Sequence, residues 1–101
     1  MLDFTPQSGH EQAGRRPALV LSPSHYNAAA GRALVCPITS RQKGYPFEVA
    51  LGESGPVTGV ILADQAKSVD WRARQAEKVA RADWATQQTV IRHIGQLLTG
   101  R

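Results

Sequence analysis

The sequence predicts a mainly β domain with one C-terminal α-helix, arranged as a small barrel or a coiled antiparallel sheet. Two patterns lead to this prediction. Short β-rich runs are separated by Gly, Pro, Ser and Asn, and near the C-terminus the spacing of the apolar residues changes from alternating to helical. With 101 residues the chain is a single domain by size, residues 1–101, which excludes two-domain enzyme architectures.

The predicted strands are short and closely spaced. They are residues 17–22, 32–38, 47–51 and 59–63. In the third run the apolar Phe47, Val49 and Leu51 alternate with other residues, and residues 68–74 alternate in the same way, so we expect each strand to have one solvent-facing side. Frequent turn signals between such short strands favour antiparallel pairing over a parallel α/β sheet.

The C-terminal segment has the spacing of an amphipathic helix that packs on the sheet. Asp83 is placed to cap its start and Gly100 to end it. Residues 24–30 are expected to form a short helical turn, with Ser24 as its cap and Gly31 as its stop. The apolar residues that define the C-terminal helix are Val90, Ile91, Ile94, Leu97 and Leu98.

The charge balance is compatible with a polyanionic partner. Lys and Arg number 12 against 8 Asp and Glu, which gives a net charge of +4 at pH 7. Several of the basic residues fall in or beside predicted loops, which favours a basic surface built from more than one loop. The alternative is solvated charge on the polar faces of the strands.

Cysteine usage and hydropathy exclude several classes of protein. Cys36 is the single cysteine, so it forms no intrachain disulfide, and the three histidines do not give a zinc-site spacing with it. Because Cys36 lies in an apolar run, we expect it in the core and not as a nucleophile. No stretch has the length of a membrane span or the pattern of a signal peptide, so we expect no membrane association and a cytoplasmic location.

Arg16 and Thr39 are the two residues that the strand pattern brings together. Arg16 precedes Pro17, which fixes an extended entry into the first predicted strand and disfavours a helical backbone at Arg16. Thr39 follows the end of the second predicted strand. If these strands are antiparallel neighbours, the start of one and the end of the other lie at the same edge of the sheet. The sequence therefore predicts that Arg16 lies beside Thr39.

A guanidinium next to a hydroxyl donor suits a phosphate whose negative charge grows in a pentacovalent transition state. RNA supplies its own nucleophile in the 2′-hydroxyl, so a small metal-free domain needs only to accept that proton, stabilise the phosphorane and assist the leaving oxygen. The pair thus favours phosphodiester cleavage. An arginine and a threonine at strand ends also commonly form a plain surface hydrogen bond, and the residue types alone do not decide between the two.

Four blocks of sequence carry a resemblance to a known family. They are residues 11–23 (EQAGRRPALVLSP), 37–40 (PITS), 43–49 (KGYPFEV) and 63–68 (ADQAKS), and together they sample nearly the whole chain. In this order they resemble the MazF/PemK-like toxins of bacterial toxin–antitoxin pairs, which are mRNA interferases. The resemblance implies an SH3-like β-barrel with a C-terminal helix, a homodimer, and ribosome-independent, sequence-specific cleavage of single-stranded RNA.

The resemblance also assigns residues and partners. It implies no cofactor and no metal, and a cognate MazE-like antitoxin as a partner. Catalysis is assigned to Arg16, for proton transfer and charge stabilisation, and to Thr39, as a donor to the scissile phosphate. An arginine keeps its proton at neutral pH, so we interpret Arg16 chiefly as an electrostatic stabiliser. Glu11 either orients Arg16, accepts the proton, or merely pairs with Arg15 at the surface.

Six further residues are candidates for binding RNA. Lys43 and Lys67 match basic positions that line the family's RNA groove, and each phosphate they neutralise would steepen the salt dependence of binding. Phe4 either stacks on a base or lies in the core. Gln65 either hydrogen-bonds a base edge or stabilises a turn. The full set is Phe4, Gln12, Ser40, Lys43, Gln65 and Lys67.

The chain departs from the family at its N-terminus. Members usually begin further upstream, so we expect Met1 to open inside the first strand and that strand to be shortened. Two alternatives from other functional classes stay open: a gyrase-poisoning or other protein-binding toxin on the same fold, and an RNA-binding module without catalysis. The pairing of Arg16 with Thr39 favours the nuclease.

Overall fold

The computed structural model describes residues 2–5, 16–51, 55–74 and 76–100, and of residues 2–5 and 78 the backbone alone. Seven strands form one antiparallel sheet. They are β1 (Leu2–Thr5), β2 (Ala18–Val20), β3 (Ala33–Thr39), β4 (Glu48–Ala50), β5 (Val60–Leu62), β6 (Lys67–Val69) and β7 (Glu77–Arg81). Two helices, α1 (Ser24–Ala30) and α2 (Trp84–Thr99), and a 3₁₀ turn (Ala63–Gln65) complete the described elements.

β3 organises the sheet because it pairs with three other strands. β2 lies along one edge of β3, and β6 and β5 share the other edge, with β6 beside Ala33–Val35 and β5 beside the last two residues. The strand path runs β4-β5-β3-β2-β1-β7. Among the described strands no pairing joins β4 to β7, so the sheet is not closed. The predicted mainly β fold with a C-terminal helix is confirmed.

The core consists of two clusters, one on each side of β2. Leu19 belongs to the first cluster, which Val90 of α2 covers, while Ala18 and Val20 belong to the second. All three residues of β2 are buried. The expectation of one solvent-facing side per strand is therefore wrong for β2, because the sheet wraps apolar residues on both of its faces. It is confirmed for β4, where Val49 is buried and Ala50 is exposed.

The alternating residues 68–74 do not form one strand. β6 ends at Val69, and Asp70 begins a turn: its Oδ1 accepts from Ala73 N at 3.0 Å and its carbonyl oxygen from Arg74 N at 3.2 Å. Aspartate stabilises such turns through its short acceptor side chain. Trp71 packs against the second cluster, and its Nε1 donates to the Asn27 carbonyl at 3.0 Å.

The predicted helix ends are confirmed in three of four cases. Asp83 Oδ1 accepts from Thr86 N at 2.8 Å at the start of α2, and Gly100, with φ +74°, ends it. Gly31, with φ +69°, ends α1. Ser24, however, is the first helical residue of α1 and not its cap, because Pro23 occupies the capping position without a side-chain hydrogen bond. No helix in the described ranges has the length and hydropathy to cross a membrane.

Candidate active site

The register of β2 and β3 places Arg16 opposite Thr39. Ala18 lies opposite Pro37, and Ile38 N donates to the Pro17 carbonyl at 3.1 Å. In an antiparallel pair each step back along one strand is a step forward along the other, so two residues before Ala18 correspond to two residues after Pro37. The predicted juxtaposition of Arg16 and Thr39 is therefore present at this edge of the sheet.

Two neighbouring cavities open at this edge, with volumes of about 290 Å³ and 480 Å³. Arg16, Ile38, Thr39 and Arg41 line both of them. The smaller cavity is completed by Pro37, Lys43, Tyr45, Glu48, Leu62, Asp64 and Gln65, and the larger one by Pro17, Ser40 and Thr58. Arg16 and Thr39 thus lie between two adjoining spaces.

The Thr39 hydroxyl is oriented by the backbone that follows it. Its Oγ1 accepts a hydrogen bond from Arg41 N at 3.1 Å. A hydroxyl has one proton to donate besides its acceptor lone pairs, so this contact uses an acceptor position and leaves the proton for a ligand. Thr39 is half-buried and Arg16 is exposed, which gives the pair a supported hydroxyl beside a guanidinium accessible from solvent.

Gly59, immediately before β5, lies against the backbone of Thr39. Its φ is +116°, a conformation that side chains disfavour, and a Cβ on it would collide with the carbonyl oxygen of Thr39. The close approach of Gly59 leaves no room for a side chain next to the backbone of Thr39. Only a glycine at this position leaves Thr39 where it is.

Three cationic and two anionic side chains surround the smaller cavity. Arg16, Arg41 and Lys43 line it, together with the carboxylates of Glu48 and Asp64. Clustered cations at the mouth of a cavity attract polyanions and raise their rate of association. The Lys43 Nζ lies 6.0 Å from the centre of the Tyr45 ring. The cavity therefore combines positive charge with an exposed aromatic side chain.

The structure brings five of the nine predicted site residues together. Arg16, Thr39, Ser40, Lys43 and Gln65 all line one or both cavities. Lys67 lines neither of these two cavities, since it lies in β6 opposite Val35. Glu11 and Gln12 lie outside the described residues, as does the side chain of Phe4, so these three predictions concern parts of the chain on which the structure makes no statement.

Cys36 is a core residue, as expected. It is fully buried, and burial, with a smaller contribution from the charge of Asp64, raises the pKa of its thiol to about 11. A thiol with this pKa stays protonated at neutral pH and is a poor nucleophile. Within the described ranges no three His, Cys, Asp or Glu residues are grouped so that they could hold a metal ion.

Sequence reasoning missed several residues that line the cavities. Glu48 was not predicted as a site residue, although its place on the polar side of a strand after a basic loop was a usable signal. Arg41 and Thr58 lie in loops, where no periodicity marks a residue as facing a site. Gly59, which lines neither cavity, is missed as well, because only its three-dimensional approach to Thr39 shows that it affects the site.

Comparisons with known proteins agree with the geometry. The model of a family described as PemK-like, MazF-like toxin of type II toxin–antitoxin system matches residues 1–98. The chain is 58% identical over 78 residues to the endoribonuclease toxin MazF of Escherichia coli K12, covering 76% of this chain and 68% of that protein. Crystallographic MazF from Deinococcus radiodurans superposes with a TM-score of 0.82 at 56% identity, covering 96% of this chain and 88% of that one. A MazE–MazF crystal structure from the same organism superposes with a TM-score of 0.87 at 45% sequence identity. The match covers 96% of this chain and 91% of that one.

Proposed function

Since the chain belongs to the family of PemK-like, MazF-like toxins of type II toxin–antitoxin systems, we propose that it is an endoribonuclease that cuts single-stranded mRNA at a short sequence, independently of the ribosome. The observation that carries the proposal is the position of Arg16 opposite Thr39 between two cavities. Relatives named as endoribonucleases favour RNA cleavage over gyrase poisoning.

In the proposed reaction the 2′-hydroxyl attacks the adjacent phosphorus while the bond to the 5′-oxygen breaks. The products are a cyclic phosphate on one fragment and a free 5′-hydroxyl on the other. Arg16 stabilises the charge that grows on the phosphoryl oxygens, and Thr39 donates its free proton to one of them. The 2′-hydroxyl loses a proton and the leaving oxygen gains one, with Glu11 and Arg16 as candidates for these transfers.

The substrate is held by the basic loops around the site. Ser40, Lys43 and Gln65 line the cavities. We propose that they contact the nucleotides on either side of the scissile bond. We propose Phe4, Gln12 and Lys67 as further contacts along the chain. Because lysines neutralise phosphates and release counterions, binding should weaken as salt rises.

We further propose a cognate MazE-like antitoxin as the protein partner, in line with the MazE–MazF structures that this chain resembles. An acidic antitoxin chain would cover the basic cavities and compete with RNA electrostatically. The proposed reaction uses no cofactor and no metal. We propose a homodimer as the active form and the cytoplasm as its location, since mRNA is the proposed substrate.

The test is cleavage of a long single-stranded RNA by the purified protein in EDTA, with the 5′ ends of the fragments sequenced. We expect cuts at a few sites that share a short motif. Arg16→Ala should lower the cleavage rate by about 10²- to 10³-fold, because it removes a donor to the charge that forms in the transition state. It should stay folded and bind a 2′-deoxy analogue of the cut sequence.

The matched control is Arg92→Ala, which removes an exposed arginine from α2, an element that lines neither cavity. It should cut like the wild type. Unchanged cutting by Arg16→Ala, or an absolute requirement for added metal, would reject the mechanism. A wild-type protein that binds the RNA without cutting it would identify the RNA-binding module, and one that inhibits gyrase without cutting would identify the protein-binding toxin.

A further inference from the structure

Glu48 reaches from the sheet to the loop in front of it. Its backbone lies in β4, opposite Leu62 of β5, so the start of its side chain is fixed by the sheet. The loop between β3 and β4, residues 40–47, is called the β3–β4 loop below. Its side chains Arg41, Lys43 and Tyr45 line the smaller cavity beside Arg16 and Thr39.

The Glu48 carboxylate binds the backbone of this loop. Lys43 N donates to its two oxygens at 3.1 and 3.3 Å, and Gly44 N donates to one of them at 3.0 Å. Gly44 has a φ of +76°, a backbone conformation that favours glycine in this turn. Successive backbone N–H groups aimed at one point form a concave site for an anion, and here the anion is a side chain of the same protein.

The β3–β4 loop is held at both ends. At its start Arg41 N donates to Thr39 Oγ1 at 3.1 Å, and at its end Glu48 N donates to the Tyr45 carbonyl at 3.1 Å. The carboxylate of Glu48 holds the middle. Because it bonds the backbone of Lys43, a residue that lines the cavity, the Lys43 side chain starts from a fixed point.

We propose that Glu48 is a positioning residue for RNA binding: its carboxylate fixes the β3–β4 loop at Lys43 and Gly44 so that Lys43 is presented to the RNA. This inference rests on the proposed endoribonuclease function and deepens it. Glu48 touches the loop, whereas the reacting atoms belong to Arg16, Thr39 and the RNA. Loss of the carboxylate should therefore weaken substrate binding and leave the chemical step nearly unchanged.

Electrostatics alone predicts the opposite sign. Glu48 is a negative charge in a cavity proposed to hold a polyanion, so its neutralisation would tighten RNA binding if charge were its only contribution. Glutamine keeps one acceptor oxygen but turns an NH₂ group toward backbone N–H donors, so it preserves part of the contact. Alanine preserves none of it. The order of the two variants in RNA affinity thus shows whether Glu48 acts by positioning the loop or by its charge.

The experiment measures KM and kcat on an oligonucleotide that contains the cleavage motif, and Kd on its uncleavable 2′-deoxy analogue. Glu48→Ala should raise KM and Kd about tenfold, the scale of a lost hydrogen bond to a charged group, with kcat within about twofold of the wild type. Glu48→Gln should lie between the wild type and Glu48→Ala. In a Lys43→Ala background the effect of Glu48→Ala on Kd should largely disappear, because the two residues act through one contact.

The matched control is Asp70→Asn. Asp70 is also a carboxylate that accepts from a backbone N–H in a turn, but it follows β6, beside the opposite end of β3 from Thr39. This variant should bind and cut RNA like the wild type. The inference would be overturned if Glu48→Ala left KM unchanged or lowered it, or if it lowered kcat at constant KM. If the alanine variant does not fold, Glu48→Gln decides. Because Kd is measured without cleavage, a chain that binds RNA and does not cut it still tests Glu48.

Discussion

The position of Thr39 depends on a residue that carries no side chain. Gly59 approaches the Thr39 carbonyl so closely that a Cβ would collide with it, at a φ of +116° that other residues rarely adopt. The collision involves backbone atoms and cannot be relieved by rotating a side chain. Thr39 and its neighbour Ser40 would have to move, and with them the hydroxyl proposed to bind the scissile phosphate.

We therefore expect Gly59→Ala to reduce kcat for RNA cleavage by at least about tenfold, because a displacement of about 1 Å at a reacting centre has large effects on rate. Ser40, at the start of the β3–β4 loop, would shift with Thr39, but Lys43 is not among the residues that the Cβ meets, so Kd for the 2′-deoxy analogue should change less than kcat. The measurement is steady-state cleavage together with thermal unfolding.

Gly95→Ala is the control for this prediction. Gly95 lies within α2, and a Cβ on it meets nothing within 4 Å. Alanine is favoured over glycine in a helix interior, so this variant should be slightly more stable and cut RNA normally. Wild-type cleavage by a folded Gly59→Ala variant would show that Thr39 tolerates the displacement.

The sequence predicted the site residues that local rules determine. Pro17 fixes the entry of Arg16, and strand pairing sets Arg16 against Thr39, so both could be placed without coordinates. Glu48 and Gly59 could not, because their effects depend on contacts with segments several residues or a whole strand away. Residue type and spacing contain no information about such an approach.

At the scale of elements, α2 begins at a cap that responds to pH. Asp83 Oδ1 accepts from Thr86 N at 2.8 Å, and this hydrogen bond lowers the pKa of the Asp83 carboxyl in the folded protein. Because the pKa of Asp83 is lower in the folded protein than in the unfolded chain, its carboxylate stabilises the fold at pH values above the unfolded-state pKa. The contribution is lost as the pH falls through the folded value.

We expect Asp83→Ala to lower Tm by a few degrees at pH 7, since it leaves backbone N–H groups at the helix start without their acceptor. Asp83→Asn keeps an acceptor and should retain most of the Tm at pH 7, while losing the part of the acid dependence below about pH 4 that this carboxyl causes. Thermal unfolding between pH 3 and 7 checks both. An alanine variant as stable as the wild type at pH 7 would contradict the importance of the cap.

Elements with strong periodicity or clear end signals were predicted well. α2 has an apolar face and both caps, and the four predicted strands contain β2, β4 and β5 in full and β3 except for its last residue, Thr39. β7 was not predicted, because residues 77–81 mix charged and apolar residues without a turn signal before them. The strand predicted over residues 68–74 was too long. The alternation of apolar residues continues past Asp70, but the turn at Asp70 ends the strand.

At the scale of the whole molecule, the net charge of +4 and the excess of three cations over two carboxylates at the smaller cavity agree with a polyanionic substrate. Turn spacing and periodicity predicted the fold class, but they did not decide whether the sheet closes into a barrel. β4 and β7, the first and last strands of the sheet path, do not pair with each other in the part of the chain that the structure describes. Pairing between distant strands depends on long-range geometry that alternation does not encode.

The homodimer is the remaining prediction at this scale. Trp84, Ile91 and Leu98 recur every seven residues along one side of α2 and are 71%, 42% and 81% exposed. Apolar side chains in such a row are costly in water and are typical of an interface. We expect sedimentation equilibrium to give twice the chain mass of 10.9 kDa, and Ile91→Asp to shift the protein toward monomer. Gln96→Asp, an exposed change on another side of α2, should leave the dimer intact. A wild-type monomer at micromolar concentration would contradict the prediction, and a dimer unaffected by Ile91→Asp would place the interface elsewhere.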